Sequence, residues 1–208
     1  MAGNDSKKRR LENVIAALKN DKVAIAALVF LVIVIVLSLA APILPLEPNK
    51  TNVAHMLEAP SWEHPFGTDE IGRDYLARVI YGGRISLLVG VLAMMMSVTI
   101  GVTVGTVSGY FGGIVDAVLM RIVDVMQSIP WLVLVTVVSI FFKQGLSSII
   151  IVIGFFTWME IARLVRAEVL SVKEREYVLY AKFTGISSAK MIFRHLIPNV
   201  IPQLIVLC

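Results

Sequence analysis

Long apolar stretches alternate with polar, charged segments along the chain. The first stretch, residues 23–46, runs for 24 residues without a charged side chain. A helix that crosses the hydrocarbon core of a bilayer needs about 20 apolar residues, whereas a cleaved signal peptide has an apolar region of about 7–15 residues. Residues 23–46 are therefore predicted to form a first transmembrane helix, and a signal peptide is the less favoured alternative.

A second uncharged stretch of 31 residues begins at residue 85 and is longer than one crossing needs. We divide it into a helix over about 85–108 and a tight turn at the glycine-rich residues 109–113. A third helix is predicted over about 114–142, with Pro130 in its middle, and a fourth over about 147–170.

The pattern as a whole predicts an all-α polytopic membrane protein with about four complete transmembrane helices and the start of a fifth. The fifth apolar stretch begins near Pro198 and reaches Cys208 after some 11 residues, too few to span a bilayer. Hydrophobic residues make up 57% of the chain and charged residues 16%, against about 45–50% and about 25% in soluble domains. These values exclude disorder, which needs low hydrophobicity and high charge, and they disfavour a soluble globular domain.

Lysine and arginine cluster in two blocks beside the apolar stretches. Residues 1–22 carry six and residues 163–194 carry seven, whereas residues 47–84 carry four against six acidic residues. Because cytoplasmic loops of membrane proteins hold the excess of basic residues, we predict a cytoplasmic N-terminus at 1–22, an extracytoplasmic segment at 47–84 and a cytoplasmic segment at about 171–197. This topology accounts for the net charge of +4, so we expect no nucleic-acid partner.

Sequence motifs for catalysis and for metal binding are absent. The dipeptide Gly-Lys does not occur, so there is no Walker A phosphate loop. The three histidines, His55, His64 and His195, are scattered without metal-binding spacing, and the lone cysteine is Cys208. We expect no catalytic residue, no metal site and no cofactor on this chain, and we do not expect an enzyme; an intramembrane enzyme is an alternative that no motif supports.

Two features of the apolar stretches indicate helix packing. Gly101, Gly105 and Gly109 repeat every four positions, and such a stripe of small residues lets another helix approach closely. The approaching helix belongs either to the same chain, which we favour, or to a second subunit. On the predicted third helix, Arg121 and Asp124 are three positions apart and are predicted to form a structural ion pair on one face.

The basic segment at about 171–197 is predicted to be partly helical. Tyr177 and Ala181 would line one side of it, Gly185 would interrupt it and Pro198 would end it. A short helical loop on the cytoplasmic side is suited to docking a soluble partner. A solvated loop whose charges only fix the topology is the equal alternative at this point.

The residues of this segment resemble a known family. Glu-Tyr-Val-Leu-Tyr-Ala-Lys-Phe-Thr-Gly at 176–185, followed by Arg-His-Leu-Ile-Pro-Asn at 194–199, resembles the "EAA" loop of permeases in binding-protein-dependent ABC importers. The resemblance narrows to the C-type permease subunit of dipeptide and oligopeptide importers, a group with nickel-transporting relatives, and it covers about residues 20–206. Further agreeing strings are His-Pro-Phe-Gly-Thr-Asp at 64–69, Gly-Arg-Asp at 72–74, Gly-Arg-Ile-Ser-Leu at 83–87 and Gly-Tyr-Phe-Gly-Gly at 109–113.

This resemblance implies a type I ABC-importer permease bundle in a bacterial plasma membrane, with residues 85–208 as the permease transmembrane domain. It implies three kinds of partner besides the lipid bilayer: a second permease subunit, two ABC ATPase subunits that bind ATP and Mg²⁺, and an extracytoplasmic peptide-binding protein that delivers the substrate. The substrate would be a di- or oligopeptide, with nickel or another small solute as the alternative. The residues that the resemblance implies for ATPase coupling are Glu176, Tyr177, Ala181, Gly185 and Pro198.

Permeases of this family have six membrane helices, and this sequence stops within the fifth. We therefore expect either a fragment of a longer permease or a truncated, non-transporting membrane protein. The sequence leaves both open.

Overall fold

The computed structural model describes residues 21–142 and 145–207, in which every regular element is helical and no β-strand occurs. The chain divides into two compact units, residues 1–88 and residues 89–208. The all-α fold predicted from the hydrophobic pattern is confirmed. Three of the described helices are long and apolar enough to cross a membrane, or up to four if a sharply bent pair counts as one span.

The first unit begins with helix α1, Lys22–Ala40. Asp21 caps its start, because the carboxylate accepts hydrogen bonds from the backbone N–H groups of Val23 (2.9 Å) and Ala24 (3.1 Å). The predicted cytoplasmic segment 1–22 lies outside the described residues except for its last two positions.

Helix α1 ends at Ala40, earlier than the predicted position 46. Pro42 and Pro45 follow, and neither can donate the backbone hydrogen bond that would continue the helix. Near this end Ser38 is buried, and a Cβ atom at Gly83 would lie 2.6 Å from its Oγ. The absence of a side chain at Gly83 therefore lets the two helical segments approach closely.

Residues 41–74 are organised around the carboxylate of Asp69, whose side chain is only 5% exposed. It accepts hydrogen bonds from the backbone N–H groups of Ile71 (3.0 Å) and Arg73 (2.9 Å), and it pairs with the guanidinium groups of Arg73 (2.6 Å) and Arg78. Burial opposes ionisation, but the hydrogen bonds from Arg73 and Ile71 outweigh it and hold the pKa of Asp69 well below its ordinary value.

Helix α2 is Tyr75–Phe111, so the last ten residues of the predicted polar segment 47–84 are helical. Asp74 begins this helix, with one carboxylate oxygen 2.9 Å from the backbone N of Ala77. Upstream, the structure describes a short 3₁₀ turn at Val53–His55.

In the second unit α2 is followed by α3, Gly113–Gln127. The chain reverses at Gly112, which has a φ of 66° that favours glycine. The predicted turn at 109–113 is therefore confined to its last part, and α2 continues to Phe111.

The predicted third helix over 114–142 is wrong as a single element. It consists of α3 and a second helix, α4 (Trp131–Phe141), with an angle of 87° between them. Pro130 lies at the break; it has no N–H to donate, and its ring disfavours helical geometry at Ile129. Neither half is long enough to cross a bilayer alone.

The rest of the second unit begins with α5, Leu146–Lys173. The elements after it are α6 (Glu176–Phe183), α7 (Ser188–Met191), a π-helical turn (Ile192–Leu196) and α8 (Ile197–Leu207).

The expectation that Pro198 ends a helix is wrong. Helical structure continues from α7 through the π turn into α8, and Pro198 lies in the first turn of α8. The wider π turn directly before it accommodates a residue that cannot donate to the preceding carbonyls. The side-chain amide of Asn199 donates instead to the carbonyl of His195, at 2.6 Å.

Helix α5 supplies both hydrophobic clusters of the second unit. The cluster shared with α6, α7, the π turn and α8 contains Ile161, Val165, Val169, Val172, Val178, Ala181, Met191, Leu196, Val200 and Leu204. The cluster shared with α3 contains Val123, Val152, Phe156, Trp158, Met159 and Ala162, and partly buried residues of α2 and α4 pack against it. Helices α6 and α8 thus both pack directly on α5.

Candidate coupling site

The loop between α5 and α8 turns at Gly185, one of the residues predicted for coupling. Its φ of 75° lies in the left-handed region, and a Cβ atom there would meet nothing within 4 Å. The backbone N–H groups of Thr184 and Gly185 donate to the carbonyls of Tyr180 and Lys182, both at 3.1 Å. These bonds close the C-terminus of α6 and fix the direction in which the chain leaves it.

Helix α6 has an inward and an outward face. Val178 and Ala181 are 3% and 6% exposed and belong to the cluster that includes Val169 and Val172 of α5. The aromatic side chains of Tyr180 and Phe183, in contrast, are 73% and 88% exposed. Ala181 therefore holds α6 on α5, while its neighbours present bulky apolar groups outward.

Hydrogen bonds tie the loop to the end of α2. The Lys173 ammonium donates to the carbonyl of Tyr110 at 2.7 Å, and the Tyr110 hydroxyl donates to Ser188 Oγ at 3.0 Å. These residues line a cleft of about 300 Å³ beside α6, to which Leu179 and Lys182 also contribute. The end of α2, the end of α5 and the start of α7 thus form one connected base for the loop.

The remaining residues predicted for coupling are spread over this region. Glu176 and Tyr177 are exposed in the first turn of α6, and Pro198 is exposed in α8. Ala181 is brought into one hydrophobic cluster with Leu196 and Val200, which flank Pro198 on either side. Phe193, a residue that no sequence motif indicated, is 72% exposed in the π turn.

The predicted ion pair between Arg121 and Asp124 is wrong. Asp124 pairs instead with Arg163 of α5, at 2.5 Å, and the described part of the chain offers Arg121 no carboxylate partner. The i, i+3 rule considers only neighbours on the same helix, whereas here a second helix provides the closer cation.

A second ion pair joins α3 to α5 closer to the loop. The Arg166 guanidinium binds both carboxylate oxygens of Asp116, at 2.5 and 2.6 Å, and the Ser108 hydroxyl also donates to this carboxylate. A bidentate arginine–carboxylate pair fixes orientation as well as distance. It therefore links α2, α3 and α5 through Ser108, Asp116 and Arg166.

The glycine stripe lies against α5. A Cβ atom at Gly105 would lie 2.5 Å from the carbonyl oxygen of Ala162, and one at Gly101 or Gly109 would lie 2.7 or 2.8 Å from side-chain atoms of Ile161 or Val169. Within the chain, therefore, the stripe is the surface on which α2 and α5 pack.

A cleft of about 810 Å³ lies between the bend that joins α3 to α4 and the side of α5 that faces this bend. Apolar residues such as Trp131 and Phe156 line it together with Glu160 and Arg163. Charged groups on an otherwise apolar membrane helix commonly face the protein interior or a cavity rather than lipid, and Glu160 and Arg163 face this cleft. In the sequence, the charge of Glu160 within an apolar stretch was the signal that could have indicated this cleft. The bend of the chain at Pro130 shows that Glu160 faces it.

The chain is similar to known proteins over most of its length. The family described as "Binding-protein-dependent transport system inner membrane component" matches residues 101–208, which is more than half of the chain. The chain belongs to this family. Residues 10–60 also match the family described as "N-terminal TM domain of oligopeptide transport permease C", so the resemblance inferred from the motifs is confirmed.

Individual relatives agree with the family assignment. The chain is 40% identical over 190 residues to the oligopeptide transport system permease protein OppC of Escherichia coli strain K12, covering 90% of this chain and 63% of that protein. It is 34% identical over 189 residues to OppC of Bacillus subtilis, covering 90% and 62%. It is 39% identical over 190 residues to the dipeptide transport system permease protein DppC of Bacillus subtilis, covering 91% and 59%. The chain thus spans about three fifths of the length of these curated relatives.

Proposed function

We propose that this chain is the transmembrane permease subunit of an ATP-driven importer of di- or oligopeptides in a bacterial plasma membrane. The support is its membership of the inner-membrane component family and its similarity to proteins named as oligopeptide and dipeptide permeases. The proposed partners are a second permease, two ABC ATPases that bind ATP and Mg²⁺, and an extracytoplasmic peptide-binding protein. The chain itself contributes no catalytic group in this proposal.

The observation that carries the proposal is the division of α6 into two faces. Tyr180 and Phe183 are exposed on a short helix whose opposite side, through Val178 and Ala181, is packed on α5. Large exposed aromatic groups are typical anchors of protein interfaces. In the proposed orientation, with the N-terminus and this loop in the cytoplasm, these aromatics insert into the ATPase.

The packing of α6 on α5 connects the loop mechanically to the membrane-spanning helices. When ATP closes the ATPase pair, a displaced α6 moves the cluster around Val169 and Val172, and with it α5. Because packed interiors transmit displacement rather than absorb it, α5 and the helices bound to it by Arg163 and Arg166 move together. The result is alternating access by rigid-body motion, with the cleft at Pro130 on the path of the peptide.

Co-purification of partner proteins tests the proposal. The tagged chain is extracted in mild detergent from its own cells, and bound proteins are identified by mass spectrometry. We expect a second permease and one or two ABC ATPases. Phe183→Ala should weaken ATPase binding by about 2 kcal/mol, roughly 30-fold, because it truncates an interface anchor while leaving the core untouched.

A matched control is Trp62→Ala. Trp62 is also a fully exposed aromatic residue, but it lies in the 41–74 segment, on the other side of the membrane in the proposed topology. Trp62→Ala should leave ATPase recovery unchanged. Recovery of the wild-type chain without any ABC ATPase would contradict the proposed function, and equal recovery with Phe183→Ala would contradict the proposed docking surface.

A further inference from the structure

Two of the three histidines come together with a carboxylate in the segment 41–74. One ligand atom each from His55, Glu58 and His64 lies within 4.8 Å of the other two. The two imidazole rings are 6.0 Å apart between centroids. The side chains of His55, Glu58 and His64 are 40%, 38% and 25% exposed, so an ion from solution can reach them. The spacing of these residues along the chain fits no metal-binding motif, and no metal site was therefore expected from the sequence.

The backbone around this cluster is fixed by one residue. The Thr68 hydroxyl donates to the carbonyl of His55 at 2.5 Å and accepts from the backbone N–H of Glu58 at 2.9 Å. Between them the chain bends sharply at Leu57, whose φ of 53° is unusual for a residue with a side chain. Thr68, itself only 3% exposed, thereby holds His55 and Glu58 in place before any ion binds.

His64 is oriented by a carboxylate on its far side. Its Nδ1 lies 2.8 Å from an oxygen of Asp74, whose other oxygen accepts from the backbone N–H of Ala77 at the start of α2. Because an ionised carboxylate can only accept, Nδ1 carries the proton and Nε2 keeps its lone pair. A histidine held in this way by a carboxylate is the arrangement that metal-ligating histidines commonly show.

We propose that His55, Glu58 and His64 bind a divalent transition-metal ion of the Zn²⁺ type, with water in the fourth position. Two imidazoles and one carboxylate form a borderline donor set that suits Zn²⁺, Ni²⁺ or Cu²⁺, whereas Mg²⁺ and Ca²⁺ prefer all-oxygen sites. Bonds of about 2.0–2.2 Å place the donor atoms of a tetrahedral site about 3.4 Å apart, and the three ligand atoms, which all lie within 4.8 Å of one another, need only small adjustments to reach this spacing. Side-chain rotation of the half-exposed His55 and Glu58 provides this, and coordination replaces the 2.6 Å contact between them.

The bound ion would cross-link two parts of the segment that are separate in sequence. It joins the turn at residues 55–58 to the turn that contains His64, which the described structure otherwise connects mainly through Thr68 and Asp69. Because the ion binds only the folded arrangement, it stabilises the segment by mass action. This proposal does not depend on the transport function, since it uses only contacts within the first unit.

Metal binding by the purified 208-residue chain tests the proposal. The chain is prepared in detergent with a tag that contains no histidine and is stripped of metal with a chelator. Zn²⁺ alone is then titrated by equilibrium dialysis with elemental analysis, and Co²⁺ is used to record the visible spectrum of the site. We expect one Zn²⁺ per chain, a tetrahedral Co²⁺ spectrum and a rise in melting temperature on adding Zn²⁺.

Variants locate the ion. Glu58→Gln keeps a hydrogen-bonding group beside His55 but removes the charged ligand, and His55→Gln removes one imidazole; each should weaken Zn²⁺ binding by at least tenfold. Asp74→Asn, which alters the residue behind His64, should weaken it by about 10- to 100-fold. His195→Gln is the matched control, because His195 lies in the π turn, far along the chain, and should leave binding unchanged.

Far-UV circular dichroism checks that each variant keeps its helicity. Glu58→Gln and His55→Gln alter half-exposed side chains, so we expect at least these two variants to fold. Absence of stoichiometric Zn²⁺ binding by the wild-type chain would overturn the proposal. Binding that Glu58→Gln and His55→Gln leave intact, or that His195→Gln abolishes, would overturn it as well, because the ion would then lie elsewhere.

Discussion

Gly105→Ala places a methyl group where α2 and α5 are closest. The new Cβ would lie 2.5 Å from the carbonyl oxygen of Ala162 and 2.8 Å from the Cβ of Val165, and neither atom is the end of a flexible side chain. The helices must therefore separate, and overpacking of this kind costs about 1–3 kcal/mol. Alanine also raises helix propensity by up to about 1 kcal/mol, which partly hides the cost.

Gly90→Ala isolates the packing cost. Gly90 lies on the same helix and in the same unit, and a Cβ atom there would meet nothing within 4 Å. Both variants share the gain in helix propensity, so the difference between their free energies of unfolding is the clash alone. We expect Gly105→Ala to be less stable than Gly90→Ala by about 1–3 kcal/mol.

The assay is unfolding of the purified chain in detergent micelles by sodium dodecyl sulfate, followed by far-UV circular dichroism. Because the chain is measured without a second subunit, this assay reports the packing of α2 against α5 and not packing against a partner. Equal stability of the two variants would refute the assignment of the stripe to the α2–α5 contact and would favour the second-subunit alternative.

Further predictions concern the loop, the ion pair and the outer segment. Gly185→Pro, or charges placed at both Ala181 and Gly185, should abolish uptake by the complete transporter while membrane insertion persists; uptake at the wild-type rate would contradict the coupling role. Asp116→Asn removes the charged partner of Arg166 and should reduce the free energy of unfolding by about 1.5–3 kcal/mol, which is measured as a lower melting temperature. An unchanged melting temperature would show that this pair is dispensable. Because the pKa of Asp69 is held below its ordinary value of 3.8, its contribution to stability is present at any pH above that value and is lost only in stronger acid. Asp69→Asn should therefore speed cleavage of the 41–74 segment by an acid-tolerant protease by the same factor at neutral pH and at about pH 5, and a factor that falls toward one at pH 5 would contradict the assignment.

Local patterns predicted the elements but not their partners. The length and apolarity of residues 23–46 and 147–170 were enough to place α1 and α5, because a helix must satisfy its own backbone groups in a bilayer. The ion pair was wrong because Asp124 had a local candidate in Arg121, while Arg163, on another helix, can be chosen only when the packing is known.

The structural context of the prolines and the proximity of two histidines could not be predicted for a related reason. Pro130 was placed within one helix and Pro198 at the end of another, yet the chain breaks at the first and continues through the second by way of a π turn. Proline removes a hydrogen bond in both cases, but the neighbouring backbone determines how the loss is accommodated. His55 and His64 appeared scattered since no spacing rule describes a cluster assembled by the folding of a loop around Thr68 and Asp69.

Contact between the loop and an ABC ATPase is the central claim, and photo-crosslinking at position 183 measures it directly. Benzoylphenylalanine is introduced in place of Phe183, cells are irradiated, and the crosslinked protein is identified by mass spectrometry, with the same substitution of Trp62 as the control. The account predicts a crosslink from position 183 to an ABC ATPase, whose yield changes with ATP, and none from position 62. Absence of an ATPase from the products at position 183, or equal capture at position 62, would contradict it.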